Sequence, residues 1–330
     1  MEGQMYPDVY CIPYYFADRF DFIRNGERPP PNRYDLLISE LPGYPDQLEY
    51  LESLVLDKSP PVAVIPGPPE ILSRDMTPRK LSLIKSIFVG ARYVWAYSES
   101  VRNHYDALIG MRKAEVIPWP FHLEKTLKLG RLGGAAPKDH LKVLFQVPLR
   151  FSGVTRNHPF MLRRVLAAVL DALPPSARSR LALHTFIYAE EDRREYRASD
   201  FGAGLPLHLE SKKSYASFIR FIGGCDAVVN LTVGNILGRI TFLSGALGKP
   251  GIFSDNADIN RDIYPHSCVP LEDEERVRDL LGKLLSGLLE GRVDGRFLPS
   301  LKELESIGNY PANAEKMRRL FMKDDLCAAS

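Results

Sequence analysis

Short apolar runs alternate with longer amphipathic segments along most of this 330-residue chain. In the first half, the apolar runs lie at residues 34–39, 62–65, 93–97 and 115–118. The segment between the first two, 45–57, repeats Leu and Val at helical spacing. Beyond a glycine-rich break the alternation restarts at residue 141 and continues to about residue 289. Strands that alternate with helices build parallel sheets, so the sequence predicts an α/β protein.

The break divides the chain into two parts. Residues 131–140 combine glycines, small residues and a proline without periodicity, which is typical of a linker. We therefore expect one doubly wound, Rossmann-like domain at 1–130 and a second at 141–308. Residues 309–330 contain one more helix that no strand follows, and we expect this helix to return to the first domain.

Composition excludes several classes of protein. With 45% hydrophobic and 25% charged residues the chain is typical of a globular protein, neither disordered nor fibrous. Its net charge of +2 indicates no nucleic-acid partner. The four cysteines form no CxxC pair, so we expect neither a metal site nor a disulfide framework. No apolar run is long enough to span a membrane and no secretory leader is visible, which favours a cytoplasmic protein.

The last four residues, Cys327 to Ser330, fit the loose C-a-a-X prenylation pattern. The stretch before them mixes basic and acidic residues and is not polybasic. We therefore expect the C-terminal tail to be unmodified rather than prenylated. Peripheral association with a membrane and assembly into a homo-oligomer stay open.

Two loops at the carboxyl ends of predicted strands have the residues of an anion site. The first runs from Asn230 at the end of the strand predicted at 226–232, and it contains Thr232, Gly234 and Asn235 before a helix predicted to start near Ile236. Gly234 allows close backbone approach, and the free N–H groups of a first helical turn attract phosphate. The alternative is that Asn235 is an ordinary helix cap and Gly234 an ordinary turn residue.

The second loop follows the strand at 141–147 and contains Arg150, Arg156 and Asn157. Two guanidinium groups on one loop suit the bidentate recognition of a diphosphate, although surface arginines are also often merely solvated. Neither loop contains G-x-G-x-x-G or a P-loop sequence, and G-x-S-x-G is missing too. These absences argue against an ordinary NAD enzyme, a P-loop ATPase and an α/β-hydrolase.

The second half resembles the donor-binding half of family-4 glycosyltransferases of the GT-B fold. The matching positions are Asp226, Val228, Val229, Ala246, Gly248, Pro250, Ser254 and Asp255. The run from "YVWAYSES" to "AEVIPWPF" is similar to the end of the acceptor domain in that family. The resemblance covers about residues 141–290, and it implies a GT-B-like fold with a C-terminal crossover helix and transfer with retention of configuration.

The resemblance also implies roles for single residues. The two glutamates of the family's E-x7-E motif, which hold the donor sugar and the ribose, fall on Asn235 and Leu243. An amide can still bind a sugar hydroxyl, but a leucine cannot bind a ribose. The family's diphosphate-binding arginine and lysine fall near Arg150 and Arg156. The family's catalytic histidine has no clear counterpart.

Three functions fit these residues. The first is a metal-independent glycosyltransferase with a nucleotide-sugar as co-substrate, no other cofactor, and a carbohydrate, lipid-linked or small-molecule acceptor. Glu40 or His104 would serve its acceptor side as catalytic residue, while Arg150, Arg156 and the amides at 234–236 stabilise the leaving diphosphate. The second is a non-catalytic GT-B-like binding or assembly subunit that has lost its donor site. The third is another two-domain Rossmann-like enzyme, such as a sugar-nucleotide epimerase.

Overall fold

The structure is a computed structural model whose chain divides into two compact units. The residues that it describes are 21, 27–30, 33–42, 44–67, 69, 76–119, 121–131, 140–146, 159–186, 207–211, 213–231 and 238–322. Among these, the residues up to 119 group with 309–322 in the first unit, and 121–308 form the second.

The first unit is built on a parallel sheet whose strand order follows the chain, β1-β2-β3-β4. The strands are β1 Leu37–Glu40, β2 Val62–Ile65, β3 Tyr93–Ala96 and β4 Ala114–Val116. The helices described between them are α1 Pro45–Asp57, α2 Pro78–Gly90 and α3 Glu99–Ile109. Because all strands run in one direction, their carboxyl ends share one edge of the sheet.

Local sequence sets the ends of these helices. Thr77 caps α2 by accepting from Lys80 N–H, and Ser98 caps α3 by accepting from Val101 N–H. Gly110, with a φ of 76°, ends α3 in the left-handed region that glycine favours. The apolar sides of the three helices pack against one face of the sheet. Its core contains Leu48, Leu51, Val55, Val64, Ile84, Ile87, Phe88, Val94 and Tyr105.

The second unit contains a six-stranded parallel sheet in the order β10-β9-β8-β5-β6-β7. The strands are β5 Leu141–Phe145, β6 Leu181–Phe186, β7 Leu207–Glu210, β8 Ala227–Asn230, β9 Gly251–Ser254 and β10 Cys268–Val269. The chain adds strands on one side of β5 and then, from β8 onward, on the other side. This is the order of a doubly wound Rossmann-like sheet. The prediction of an α/β protein with two Rossmann-like parallel-sheet domains is confirmed.

Helices cover both faces of this sheet. They are α4 Leu123–Arg131, α5 Pro159–Asp171, α6 Pro175–Arg178, α7 Tyr215–Gly223, α8 Arg239–Ala246, α9 Asp258–Ile263, α10 Glu274–Leu289 and α11 Leu301–Ile307. The main core of the unit lies where α5 and α10 pack on one face. The last described helix, α12 Tyr310–Met322, belongs to the first unit. Within the part of the chain that the structure describes, no helix has the length and apolar character needed to span a bilayer.

The sequence pattern did not predict α4. Four of its nine residues are charged, and Thr126 is the residue that it buries. α4 packs against α7. Its Gly130 also lies against Leu247 at the end of α8, where a Cβ on residue 130 would stand 2.1 Å from Leu247 Cδ2. On the face formed by positions 123, 126, 127 and 130, Leu123 and Leu127 are apolar but Thr126 and Gly130 are not, so the apolar pattern is too short to recognise from sequence. Of the predicted linker, residues 132–139 lie outside the described residues.

Candidate functional site

The two loops predicted to bind a donor start side by side. β5 and β8 are neighbouring strands with Phe145 opposite Val229, and Gln146 N–H donates to Val229 O at 3.0 Å. The chain then continues into residues 147–158 after β5 and into residues 232–237 after β8. Strand order reverses between these two strands, and doubly wound sheets bind ligands at that reversal. The topology therefore brings the beginnings of both predicted loops to one place.

The loop side chains themselves lie outside the described residues. This holds for Arg150, Arg156, Asn157, Thr232, Gly234, Asn235 and Ile236. Their roles stay predictions, supported by the position of the strands from which the loops leave.

Polar and charged residues to which the sequence assigned no role flank these loops. Gln146 directly follows β5 and is only 4% exposed, and Asn230, 2% exposed, ends β8. Arg239 is the first residue of α8 and is half-buried, so it adds a positive charge where the second loop ends. Gln146 and Asn230 could have been found from the sequence, because each is an amide at the end of a mainly apolar strand.

The start of α8 differs from the prediction. A start near Ile236 is wrong, because Gly238 has a φ of 65° and no α-helix continues through a left-handed residue. The helix begins at Arg239, and Gly238 is its N-cap without a side-chain hydrogen bond. The side chain of Ile259 in α9 lies directly beside Gly238, 2.1 Å from where a Cβ would stand.

Leu243 occupies the position at which the family resemblance has the ribose-binding glutamate. Its side chain is fully buried, with 0% exposure, in the interior of the second unit. A side chain packed in this way contacts protein on all sides. The expectation that position 243 binds no ribose stays a prediction.

The two candidate catalytic residues of the first unit stand in different places. Glu40 is the last residue of β1 and is exposed at the carboxyl edge of the sheet. His104 is exposed on α3, six residues beyond the cap Ser98, so it lies about 9 Å along the helix from that edge. β2 separates β1 from β3, the strand that leads into α3. The carboxyl edge of the sheet therefore has Glu40 but not His104.

A buried tyrosine holds the backbone next to Glu40. Glu40 pairs with Ile65 in the sheet, and the chain passes from Ile65 through Pro66 to Gly67. Tyr105, 2% exposed on α3, donates its hydroxyl to Gly67 O at 2.9 Å. Sequence reasoning missed Tyr105, since a tyrosine at a helical core position looks like any other packing residue.

A cluster of titratable side chains lies on one face of the second sheet, toward α7. His184 on β6 stacks on His208 of β7 with ring centroids 4.5 Å apart. His184 Nδ1 lies 2.8 Å from Glu210 Oε1 at the end of β7, and Lys213 Nζ lies 2.8 Å from the other Glu210 oxygen. The partners come from different strands, so the cluster exists only through the β6–β7 register.

Burial and hydrogen bonding set the charges of this cluster. The hydrogen bond with His184 lowers the pKa of Glu210 from 4.5 to about 2, against the effect of burial and with help from Lys213. Burial lowers the pKa of His184, although the hydrogen bond to Glu210 acts in the opposite direction. At neutral pH the carboxylate is therefore charged and the imidazole neutral, with its Nδ1–H donating to Glu210.

Comparison with known proteins identifies the fold. No protein-family model and no curated protein sequence matches the chain. Solved structures do match it. An α,α-trehalose-6-phosphate synthase from Burkholderia multivorans is 14% identical with a TM-score of 0.64, over 90% of this chain and 73% of that one. A sucrose-phosphate synthase from Thermosynechococcus elongatus is 17% identical with a TM-score of 0.64, over 90% and 75%.

A third match is a UDP-forming α,α-trehalose-phosphate synthase from Burkholderia xenovorans in complex with glucose-6-phosphate. It is 10% identical with a TM-score of 0.63, over 87% of this chain and 74% of that chain. At such identities the likeness establishes the architecture and not the activity. The chain has the fold of GT-B glycosyltransferases.

Proposed function

We propose that this chain is a retaining, metal-independent glycosyltransferase that moves a sugar from a nucleotide-sugar to a carbohydrate, lipid-linked or small-molecule acceptor. The observation that carries the proposal is the strand order of the second unit. Its reversal lies between β5 and β8, the two strands that lead into the loops selected from sequence for phosphate binding. The GT-B fold and the family-4 resemblance over residues 141–290 agree with this choice.

The donor side would work by electrostatics. As the bond between sugar and diphosphate breaks, negative charge develops on the leaving nucleoside diphosphate. Arg150 and Arg156 would neutralise it, and the N–H groups of the first turn of α8, with the Arg239 side chain, would add further stabilisation. Asn235 would hydrogen-bond a hydroxyl of the sugar.

The acceptor side would use Glu40. Its carboxylate is exposed at the carboxyl edge of the first sheet, where parallel sheets present functional residues. There it would accept a hydrogen bond from the acceptor hydroxyl. Since one structural neighbour was solved with glucose-6-phosphate, sugar phosphates are the first acceptors to test.

The first test is thermal unfolding with UDP, GDP, ADP, TDP and CDP and their common sugar conjugates. A nucleotide at 100 times its dissociation constant adds about 2.7 kcal/mol of stability, which raises Tm by about 5–10 °C for a unit of this size. A shift with one base identifies the donor class. No shift with any of these nucleotides contradicts the proposal.

The second test uses variants. Arg150→Ala and Asn235→Ala should each remove most of the nucleotide-dependent transfer to a sugar phosphate, because each deletes a donor contact. The matched control is Arg292→Ala, whose side chain is 82% exposed and pairs with Glu290 on the surface of the same unit. If all three variants lower the rate equally, the loop residues do not bind the donor.

One observation favours a second function, that of a GT-B-like binding subunit without catalysis. The position that would bind the ribose is the fully buried Leu243. Such a protein would bind a nucleotide weakly or not at all and would transfer no sugar. Binding of one nucleotide without turnover, across a panel of acceptors, would favour the subunit over the enzyme.

A further inference from the structure

The start of α8 has no side-chain cap, and a neighbouring helix packs directly against it. In α2 and α3 a Thr or Ser side chain caps the first turn, but the N-cap of α8 is Gly238, which offers no side chain. The direction in which the first N–H groups of α8 point must therefore be fixed by packing. The elements packed on α8 in the second unit are α9 and α11, and α4 and α7 also contact it.

α9 contacts the first turn of α8 at two points. Ile259 occupies the space beside Gly238 that any larger residue would need. One residue later, the Asn260 side chain accepts a hydrogen bond from the hydroxyl of Thr241, in the first turn of α8. Both Thr241 and Asn260 are 0% exposed, so this hydrogen bond lies where no water can replace it.

The Asn260 amide also ties this contact to the sheet. Its Nδ2 donates to Ser254 O at 2.9 Å, at the carboxyl end of β9, which is the strand next to β8. Thr241, Asn260 and Ser254 thus form a continuous link from α8 through α9 to the edge where the donor loops begin. At the other end of α8, Gly245 packs closely on Ile263 of α9, so both ends of the helix are held.

We propose that Asn260 is a positioning residue of the donor site, which orients the first turn of α8 toward the diphosphate through Thr241. The inference rests on the proposed function, since it assigns a purpose to the geometry only if a diphosphate binds after β8. Neither Asn260 nor Thr241 would touch the ligand. Their link would preorganise the helix start, so that binding does not have to order it.

The test uses Thr241→Val, which keeps the shape of the side chain but removes the hydroxyl, and Thr241→Ser, which keeps the hydroxyl. The matched control is Ser244→Ala. Ser244 is as buried as Thr241, but its hydroxyl donates to Ile240 O within α8, at 2.7 Å, and not to α9. Both Thr241→Val and Ser244→Ala therefore lose one buried hydrogen bond of the same helix.

The dissociation constant of the nucleoside diphosphate that stabilises the wild type is measured for all three variants. In Thr241→Val the helix start loses one hydrogen bond that holds it in place, so the dissociation constant should rise about 2- to 10-fold. Thr241→Ser and Ser244→Ala should stay within about 2-fold of the wild type. The inference is overturned if the dissociation constants of Thr241→Val and Ser244→Ala are equal. It is also overturned if Thr241→Ser loses as much affinity as Thr241→Val.

A second readout needs no ligand. Amide hydrogen exchange of Phe242, whose N–H donates to Gly238 O at 2.8 Å, should be faster in Thr241→Val than in Ser244→Ala, because only the former frees the start of α8. Unchanged exchange overturns the positioning role. If the wild type binds no nucleoside diphosphate, the proposed function fails, whereas this exchange difference still shows whether the link to α9 holds the helix start.

Discussion

Replacing Glu210 by Gln should lower the stability of the second unit at neutral pH and make that stability less sensitive to acid below about pH 4.5. The carboxylate interacts with His184 and Lys213 at 2.8 Å each. Glutamine retains an oxygen that accepts from His184, so the variant removes the charge while preserving the shape and the hydrogen bond. The β6–β7 register should therefore persist.

The magnitude follows from the pKa of Glu210. A fall from 4.5 to about 2 corresponds to about 3 kcal/mol, at about 1.4 kcal/mol for each pKa unit. The Glu210 and Lys213 side chains are 18% and 25% exposed, so water screens part of this interaction and about 1–2 kcal/mol is expected at pH 7.

The dependence on pH has a definite sign. The folded pKa of Glu210 lies below the unfolded value, so its stabilisation is complete above pH 4.5 and is lost as pH falls toward 2. The folded pKa of His184 is also lowered, so below about pH 6.5 the unfolded chain takes up a proton that the folded chain does not. Both groups make the wild type less stable in acid. Glu210→Gln removes the first contribution and enlarges the second, because the Glu210 carboxylate raises the pKa of His184.

Urea unfolding of both proteins between pH 7 and pH 3, followed by far-UV circular dichroism, measures these differences. The control is Glu290→Gln, which removes a surface partner of Arg292 and should cost less than about 0.5 kcal/mol. The difference between wild type and Glu210→Gln should shrink as pH falls below 4.5. A difference that stays constant from pH 7 to pH 3 refutes the assignment of this stabilisation to the Glu210 charge.

Three further variants test other parts of the structure. Tyr105→Phe removes the hydrogen bond to Gly67 O and should lower the free energy of unfolding in urea by about 1 kcal/mol. It should also raise KM for the acceptor more than KM for the donor; equal changes in the two KM values would show that the backbone at Gly67 does not affect the acceptor site. Leu243→Glu, which restores the glutamate of the resemblance, should lower Tm by many degrees and gain no nucleotide affinity, because it buries a carboxylate at a fully buried position; an unchanged Tm would contradict that burial. Gly238→Ala should cost about 1–2 kcal/mol from its φ of 65° alone and more from the collision with Ile259, so adding Ile259→Ala should recover part of the loss in thermal unfolding.

Where a local pattern determined an element, the sequence predicted it well. The helical spacing of Leu and Val predicted a helix at Pro45–Asp57, and the structure has these bounds. The apolar run Val62–Ile65 likewise became β2, with all four residues buried. The order of strands and helices then followed, since right-handed connections leave few alternatives.

Elements that depend on distant contacts were missed. α4 has two leucines at helical spacing beside Thr126 and Gly130, and α9 has six residues, so neither gives an apolar pattern long enough to recognise from sequence. The same reason hid the candidate-site features. Asn260 acquires its role only when Thr241 lies beside it, and a tyrosine such as Tyr105 gives no sign that its hydroxyl reaches residue 67.

The position of β5 in the centre of its sheet has a consequence for biosynthesis. β5 pairs with β6 about 40 residues later, but its other edge must wait for β8, and the hydrogen bond from Lys142 N–H to Asp226 spans 84 residues. While the ribosome makes that intervening stretch, the nascent chain presents an apolar strand with one unpaired edge, which is a site for association with other chains. In the first unit each described strand pairs with the strand made just before it. Translation speed and chaperone supply should therefore affect the yield of the second unit far more than that of the first sheet.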